Sequence, residues 1–201
     1  MPPLVIATGN AHKVEEFRAL LGTRWEIQSL RDHPQLPSPE ETGTTFLENA
    51  TLKALSASAL LGADYLVLAD DSGLEADALD GAPGVHSARY AEPDATDAKN
   101  RAKLLAELHR VGATGPARRA RFRCVLVLAQ NGQVLSHHAG TVEGMLAESE
   151  SGEGGFGYDS LFLPEGYVQT FGELPTSVKN TLSHRARATA AFLNDGDVLR
   201  C

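Results

Sequence analysis

The stretch LADDSGL, at Leu68–Leu74, determines how the rest of this chain is organised. A short apolar run from Tyr65 leads into two consecutive aspartates, Asp70 and Asp71, which predicts a buried strand that breaks at Ser72–Gly73. Because successive residues of a strand point to opposite faces, one aspartate can be structural while the other faces a cleft beyond the strand end. A plain strand-to-turn junction, with aspartate present for its turn chemistry, explains the same stretch.

Length and composition limit the class of protein. The 201 residues, 42% of them apolar, suit a single globular α/β domain over residues 1–201, with room for two lobes. With a formal net charge of −8, the protein is not expected to have the basic surface that nucleic acids and anionic membranes require, so we expect neither as a partner. No basic region followed by a long apolar stretch opens the sequence, which predicts a cytoplasmic protein. Cys124 and Cys201 have neither disulfide nor metal-ligand spacing and are expected to be reduced bystanders.

The first strand and helix predict a turn that could hold phosphate. Leu4–Ala7 has a buried-strand pattern, and apolar residues recur at helical spacing from Val14 to Leu21. The turn between them is TGNAHK, at Thr8–Lys13, where backbone N–H groups and the positive helix end suit an anion and Lys13 adds a charge. The P-loop pattern is absent, so an ordinary turn with a solvated lysine explains these residues equally well.

A second helix is predicted to begin near Thr45, where Thr45 and Glu48 form a capping-box pattern. Asn49 and Lys53 lie four residues apart on one face of it, beside an alanine-rich stripe, and either serve a site or merely extend towards solvent. Glu41, just ahead of the helix, suits either the helix dipole or a metal ion.

The middle of the chain predicts a mixed sheet. Leu74–Leu79 and Val85–Tyr90 have the pattern of short strands, and Thr96–Val111 that of a charged amphipathic helix. Arg119–Ala129 and Val134–Val142 flank an Asn-Gly pair, which is typical of a β-hairpin.

Two later segments contain candidate base-binding residues. In the glycine-rich Ser151–Asp159, Phe156 could stack on a base and Asp159 could accept from a base N–H, or the aromatic residues could fill the core. The last helical region, Pro175–Asn194, contains Lys179, His184 and Arg185. An unbroken helix would scatter these three around its circumference, so they converge only if the helix is interrupted, and Ser183 is a good cap for a restart.

Six stretches, in this order and spacing, resemble the inosine/xanthosine triphosphate pyrophosphatase family over the whole chain. They are TGNAHK at Thr8–Lys13, EETGTTFLENATLKA at Glu40–Ala54, ADDSGL at Ala69–Leu74, DGAPGVHSARYA at Asp80–Ala91, GGFGYD at Gly154–Asp159 and SHRARA at Ser183–Ala188. Each motif is weak alone, whereas the ordered set is specific.

The resemblance implies an α/β fold in which helices flank an elongated mixed β-sheet and two lobes enclose a central nucleotide-binding cleft. It implies a homodimer that hydrolyses dITP, ITP and XTP to the monophosphate and pyrophosphate with Mg²⁺, for which Mn²⁺ could substitute. Such an enzyme cleanses the nucleotide pool and prevents misincorporation into DNA and RNA.

By the same resemblance, Asp71 is the catalytic base and shares the Mg²⁺ site with Glu41. The other matching positions are predicted to bind the substrate: Thr8, Gly9, Asn10 and Lys13 the triphosphate, Lys53 and Ser72 the substrate generally, Phe156, Gly157, Tyr158 and Asp159 the base, and Lys179, His184 and Arg185 completing base recognition. The chain departs from the family pattern in the residues before Lys179 and in Ala186–Arg187, where relatives tend to have Gly-Lys.

Elementary chemistry agrees with these roles. An acidic protein must neutralise a bound triphosphate, and Mg²⁺ with one or two carboxylates does so while activating water. An unperturbed aspartate has a pKa of about 3.9, so Asp71 would be ionised at neutral pH. Two alternative functions stay open: a non-catalytic nucleotide sensor, and a pyrimidine-directed pyrophosphatase of similar architecture.

Overall fold

The computed structural model describes residues 2–36 and 39–196, and Cys201 lies outside them. The strands are β1 Leu4–Ile6, β2 Ile27–Ser29, β3 Leu66–Ala76, β4 Arg119–Gln130, β5 Gln133–Leu146 and β6 Phe162–Pro164. The helices are α1 Ala11–Leu21, α2 Phe46–Leu61, α3 Asp97–Arg110, α4 Thr176–Leu182 and α5 His184–Leu193. Within the described residues, no helix is both long enough and apolar enough to cross a membrane.

The strands form one six-stranded sheet in the order β2-β1-β3-β4-β5-β6. Strand β1 is parallel to both β2 and β3, whereas β5 is antiparallel to β6. The predicted α/β class, with a mixed sheet and flanking helices, is confirmed. Strands β2 and β3 lie on opposite sides of β1, so the direction in which successive strands are added to the sheet reverses at β1. The carboxyl end of β1 and the part of β3 just beyond it therefore flank a topological switch point, the usual position of a ligand site in such sheets.

The prediction that the aspartate strand ends at Ser72–Gly73 is wrong. Strand β3 continues without a break to Ala76, because it has β4 as a neighbour beyond the part that pairs with β1. Strand β1 stops at Ile6, which is opposite Leu68. Asp70 and Asp71 therefore lie beyond the end of the neighbouring strand, although they are in the middle of their own.

The chain divides into two compact units, each built from several segments. Unit 1 contains the described residues up to 71 together with 124–140 and 185–196. Its core is formed by Leu4, Ile6, Phe17, Leu21, Trp25, Leu66, Leu68, Cys124, Leu126, Leu128, Ala188 and Phe192. Unit 2 contains Ser72–Arg123 and Thr141–His184. Its core includes Leu74, Leu104, Leu108, Phe122, Val142, Tyr158, Leu161, Phe162 and Phe171. The single domain over 1–201 and the central cleft stay predictions.

Local sequence signals explain most of the elements. The β4–β5 hairpin turns at Asn131 and Gly132, whose φ angles of 49° and 73° match the predicted Asn-Gly turn. Helix α2 begins with the predicted capping box between Thr45 and Glu48. The predicted helical region near the C-terminus is interrupted at Ser183, which has an extended backbone between α4 and α5.

Of the two short strands predicted after the aspartates, Leu74–Leu79 is strand only up to Ala76, as the end of β3, and Val85–Tyr90 is wrong. Asp77–Leu79 and Gly84–Arg89 are 3-10 helices instead. Gly81 N donates to Ala76 O at the end of β3 and Ala82 N donates to Leu79 O, so these backbone groups are satisfied in turns and not in a further strand.

Candidate active site

The turn before α1 uses Asn10 to cap the helix. The Asn10 side-chain oxygen accepts from the backbone N–H of His12 at 2.9 Å and of Lys13 at 3.3 Å. Two of the N–H groups that were predicted to face phosphate are therefore occupied by Asn10. Thr8 and Gly9 line a cavity of about 170 Å³ between α1 and the end of β2, with Arg18 and Arg31 on its wall.

Asp70 forms the centre of a buried ion-pair cluster in unit 1. Its Oδ1 accepts from Lys13 Nζ at 2.8 Å, and its Oδ2 accepts from Arg185 Nη2 at 2.8 Å and Nε at 3.3 Å. Burial alone would raise the pKa of Asp70, but the charges of Lys13 and Arg185 hold that pKa well below its usual range. Asp70 is therefore ionised and tightly held at any physiological pH.

Arg185 belongs to the same cluster. Its Nη1 donates to Glu16, and its guanidinium lies 5.6 Å from the centre of the Phe17 ring. The side chain is only 1% exposed. Burial would lower the pKa of Arg185, but Asp70 and Glu16 raise it overall. These contacts attach the start of α5 to α1 and β3, and the base-recognition role predicted for Arg185 stays a prediction.

Asp71 belongs to a second cluster in unit 1 and has different partners. Its Oδ1 accepts from Lys53 Nζ at 2.8 Å, and its Oδ2 lies 3.4 Å from Asn49 Nδ2. The same Lys53 Nζ lies 2.8 Å from Glu41 Oε1. The structure thus brings together Glu41 and Asp71, the two predicted metal ligands, and Lys53, a predicted substrate-binding residue.

The protonation equilibria of this second cluster differ from those of Asp70. Burial raises the pKa of Asp71, and the neighbouring Lys53 charge only partly offsets the shift. Burial would lower the pKa of Lys53, but Asp71 and Glu41 raise it overall, so the ammonium stays charged. A carboxylate with a raised pKa, beside a cation, is a common arrangement for a catalytic base.

The sequence pointed to Asn49, together with Lys53, as a residue that either serves a site or extends towards solvent, but it assigned Asn49 no partner. It is fully buried on α2, and its Oδ1 accepts from Gly43 N at 2.8 Å. A Cβ at position 43 would lie 2.6 Å from Asn49 Oδ1, so this close approach requires glycine. Asn49 thereby holds the loop that contains Glu41 close to Asp71. The only signal was a polar residue one helical turn before Lys53, within an apolar stripe.

Unit 2 contains a separate cluster of the residues predicted to bind the base. Asp159 Oδ2 accepts from Lys179 Nζ at 2.6 Å and from Phe156 N at 2.8 Å. The Lys179 ammonium also lies 4.9 Å from the centre of the Phe156 ring. Asp159 and Lys179 are both buried. The unusual residues before Lys179 therefore do not prevent α4 from placing it next to Asp159.

The other predicted residues of unit 2 have varied surroundings. Gly157 is held at both backbone groups, because its N–H donates to Asp97 and its carbonyl accepts from Arg101. Tyr158 is buried and donates to Ser87 O at 2.9 Å, and burial raises the pKa of its hydroxyl. Tyr158 therefore packs in the core. The His184 ring stacks on Phe122 with the ring centres 4.8 Å apart, and Ser72 is half-buried on β3.

Comparisons with known proteins give a consistent result. A model of the Ham1 family matches residues 4–195. A Geobacillus kaustophilus protein named dITP/XTP pyrophosphatase is 52% identical over 190 residues, which cover 94% of this chain and 91% of the relative. A Listeria monocytogenes protein of the same name is 47% identical over 196 residues, covering 97% and 95%.

Solved structures agree with the sequence comparisons. The structure of a HAM1 protein from Coxiella burnetii superposes with a TM-score of 0.84 at 39% identity, covering 96% of each chain. A nucleoside-triphosphatase, or dITP/XTP pyrophosphatase, from Mycobacterium abscessus gives a TM-score of 0.75 at 37% identity, covering 96% of this chain and 99% of that one.

Proposed function

The chain belongs to the Ham1 family, and we propose that it is an enzyme that hydrolyses dITP, ITP and XTP to the nucleoside monophosphate and pyrophosphate. The names of its relatives support this substrate class. The main structural support is the pair Asp71 and Lys53 beside Glu41, a buried carboxylate of raised pKa at the topological switch point of the sheet. Removing such nucleotides would cleanse the nucleotide pool in the cytoplasm.

Asp71 is the proposed base. The oxygen of a water molecule forms a bond to the α-phosphorus, and one proton of that water passes to the Asp71 carboxylate. The bond from the α-phosphorus to the bridging oxygen breaks, and its electron pair leaves with pyrophosphate. A base whose pKa is raised towards neutrality accepts this proton more readily than an ordinary aspartate does.

The charges of unit 1 call for an added cation. Three cationic side chains face four carboxylates in the two clusters: Lys13, Lys53 and Arg185 against Glu16, Glu41, Asp70 and Asp71. These residues do not by themselves neutralise a triphosphate. In the described part of the chain, no group of three or more His, Cys, Asp or Glu side chains is arranged to hold a metal ion.

Two carboxylates nevertheless fit Mg²⁺, which commonly takes one or two carboxylates together with substrate phosphates and water. We propose that Glu41 and Asp71 are these ligands and that Mn²⁺ substitutes for Mg²⁺. When bound, the metal would neutralise phosphate charge and polarise the attacked phosphoryl group. Lys13 and Lys53 would bind the remaining phosphate oxygens, and Thr8, Gly9 and Asn10 would line their surroundings.

The cluster of unit 2 is the proposed reader of the base. Phe156 offers a ring for stacking, Asp159 accepts hydrogen bonds, and Lys179 and His184 offer donors for a 6-oxo group. Adenine has a 6-amino group, which is itself a donor and leaves those donors unpaired. Each buried unpaired donor costs about 1–3 kcal/mol, so two mismatches predict discrimination against ATP of roughly tenfold to ten-thousandfold.

A panel of nucleoside triphosphates tests this function. We would measure kcat/KM for dITP, ITP, XTP, GTP, ATP and the pyrimidine triphosphates with Mg²⁺, assaying monophosphate and pyrophosphate separately. The expected result is rapid release of both products from dITP, ITP and XTP only. Binding without product release would identify a sensor, and preference for a pyrimidine would identify the other alternative. ATP hydrolysis within about tenfold of ITP hydrolysis would refute the base-reading role.

A homodimer is part of the same proposal and is supported by the family resemblance. Size-exclusion chromatography with light scattering should give twice the mass of the chain. A mass that matches one chain at micromolar concentration would refute it.

A further inference from the structure

Lys53 is bound as a metal ion would be. Its Nζ lies 2.8 Å from Glu41 Oε1, 2.8 Å from Asp71 Oδ1 and 3.3 Å from the backbone oxygen of Asp70. An ammonium group has three N–H donors, and these three oxygens match that number. The side chain is 13% exposed. One cation is thus enclosed by the two carboxylates that the proposed function gives to Mg²⁺.

We propose that Lys53 is a placeholder cation, which occupies Glu41 and Asp71 in the nucleotide-free protein and leaves them when a metal–nucleotide complex binds. This inference rests on the proposed function for the identity of the metal ligands. It adds that the free protein binds divalent cations weakly, because any metal must first displace the ammonium. Metal and nucleotide then enter the site together.

The surroundings of Asp71 leave few other positions for a metal. The Asp71 side chain is 8% exposed, its Oδ1 is bound to Lys53, and its Oδ2 lies against Asn49. A divalent cation beside Oδ1 would be in contact distance of the ammonium and would be repelled strongly in this poorly solvated place. The carboxylate therefore holds one cation or the other.

Lys53 is suited to leaving. It sits on a flexible four-carbon stem and keeps some contact with solvent. Once displaced, its ammonium can bind a phosphate oxygen, which would be a specific form of the substrate-binding role predicted for it. Lys53 would thus neutralise the carboxylates before the substrate arrives and the phosphates afterwards.

Lys13 provides a matched control. It also forms a 2.8 Å ion pair with a buried aspartate and is similarly exposed, at 15%. Its partner, Asp70, is bound on the other oxygen by Arg185 and is not a proposed metal ligand. Removing Lys13 changes the net charge of unit 1 by the same amount as removing Lys53, but it uncovers neither Glu41 nor Asp71.

The test is Mn²⁺ binding to the nucleotide-free protein, followed by the electron paramagnetic resonance signal of free Mn²⁺. We expect Lys53→Met to bind Mn²⁺ at least about tenfold more tightly than the wild type, and Lys13→Met to stay within about threefold of it. Lys53→Gln, which keeps a donor for one carboxylate, replaces Lys53→Met if the latter does not fold. Unchanged or weaker affinity in the Lys53 variant would overturn the proposal. An equal gain in Lys13→Met would also overturn it, since charge alone would then explain the effect.

A measurement on the wild type needs no variant to fold. In a ¹⁵N-lysine-labelled sample, the Lys53 ammonium signal should move when Mg²⁺ and a non-hydrolysable dITP analogue are added together. It should stay in place when the same concentration of Mg²⁺ is added alone. The proposal would be contradicted if the Lys53 signal did not move when both were added, or if it moved fully with Mg²⁺ alone. If the substrate panel failed while Mn²⁺ affinity rose in Lys53→Met, the proposed function would be wrong and the placeholder would stand.

Discussion

Asp70 and Asp71 are consecutive residues of one strand with nearly equal burial, yet their pKa values shift in opposite directions. Asp70 is 1% exposed and Asp71 is 5% exposed. Burial raises the pKa of both, but Asp70 is paired with Lys13 and Arg185 whereas Asp71 shares Lys53 with Glu41. The number of cations per carboxylate, and not the depth of burial, accounts for the lowered pKa of Asp70 and the raised pKa of Asp71.

This difference separates a structural cluster from a chemical one. The Asp70 cluster joins β3 to α1 and α5. It pairs two cations, Lys13 and Arg185, with two carboxylates, Asp70 and Glu16. The Asp71 cluster has a surplus of negative charge, since two carboxylates share one ammonium. Both carboxylates become available to a divalent cation when Lys53 leaves them, and a carboxylate of raised pKa accepts a proton more readily, so we expect function at Asp71 and stability at Asp70.

The largest expected effect is on stability. Asp70→Asn removes the anion between Lys13 and the buried Arg185 and should lower the free energy of unfolding by about 3–5 kcal/mol, as breaking a buried ion pair does. Urea denaturation followed by circular dichroism measures this change. Asp71→Asn is the matched control and should lower the free energy of unfolding much less, because Lys53 keeps its ion pair with Glu41. Equal losses in the two variants would remove the distinction between the clusters.

The next effect is on turnover. Asp71→Asn should lower kcat for dITP by at least about 100-fold while the free energy of unfolding changes little, because the amide cannot accept the proton of water. Steady-state kinetics with pyrophosphate detection measures kcat. Activity retained by a correctly folded Asp71→Asn protein would rule out Asp71 as the base.

A third effect concerns metal. Glu41→Gln should raise the Mg²⁺ concentration for half-maximal activity by roughly tenfold, a loss typical of weakened metal sites. Glu16→Gln makes the same chemical change in the Asp70 cluster and should leave that concentration unaltered while it destabilises the fold. Full activity in excess chelator, or equal metal dependence in both variants, would contradict this division.

The smallest effect is the pH dependence of stability. Asp70 has a lowered pKa, so its contribution is complete above its unfolded pKa of about 3.9 and is lost as the pH falls below that value. Asp71 has a raised pKa, so its ionisation costs stability as the pH rises from its unfolded pKa through its native pKa. Urea titrations from about pH 3 to pH 7 should show that the loss of unfolding free energy in Asp70→Asn becomes smaller as the pH falls. The free energy of unfolding of Asp71→Asn should rise relative to that of the wild type as the pH approaches neutrality. Parallel curves for both variants would contradict the opposite pKa shifts.

The sequence predicted the elements that depend on local signals. The capping box at Thr45, the Asn131–Gly132 turn and the break at Ser183 all follow from residues close together in the chain. The carboxylate pair itself was also recognisable, whereas the grouping of Asp71 with Glu41 came from the resemblance to a family. The contact of Lys53 with both carboxylates was not predicted.

Features that depend on tertiary neighbours were not predictable in the same way. Strand β3 continues past Ser72–Gly73 because β4 lies beside it, and no local sequence pattern predicts that pairing. Arg185 pairs with Asp70 and Glu16 across long stretches of sequence, so its motif position suggested a ligand and not these acids. The resemblance grouped Tyr158 with the base-binding residues, and no local signal predicted that its hydroxyl bonds to Ser87 in the core.

The ion pair between Asp70 and Arg185 also has a consequence for biosynthesis. The two residues are 115 positions apart in the chain. A ribosome that adds about 5–20 residues per second needs on the order of 6 to 23 s to travel that distance. Throughout this interval the nascent chain holds the aspartate without its arginine, and the core of unit 1 lacks Ala188 and Phe192 as well. Unit 1 is therefore expected to close only after the segment from Arg185 to Phe192 has been synthesised, so chains that stop before Arg185 should be substrates for cellular proteases.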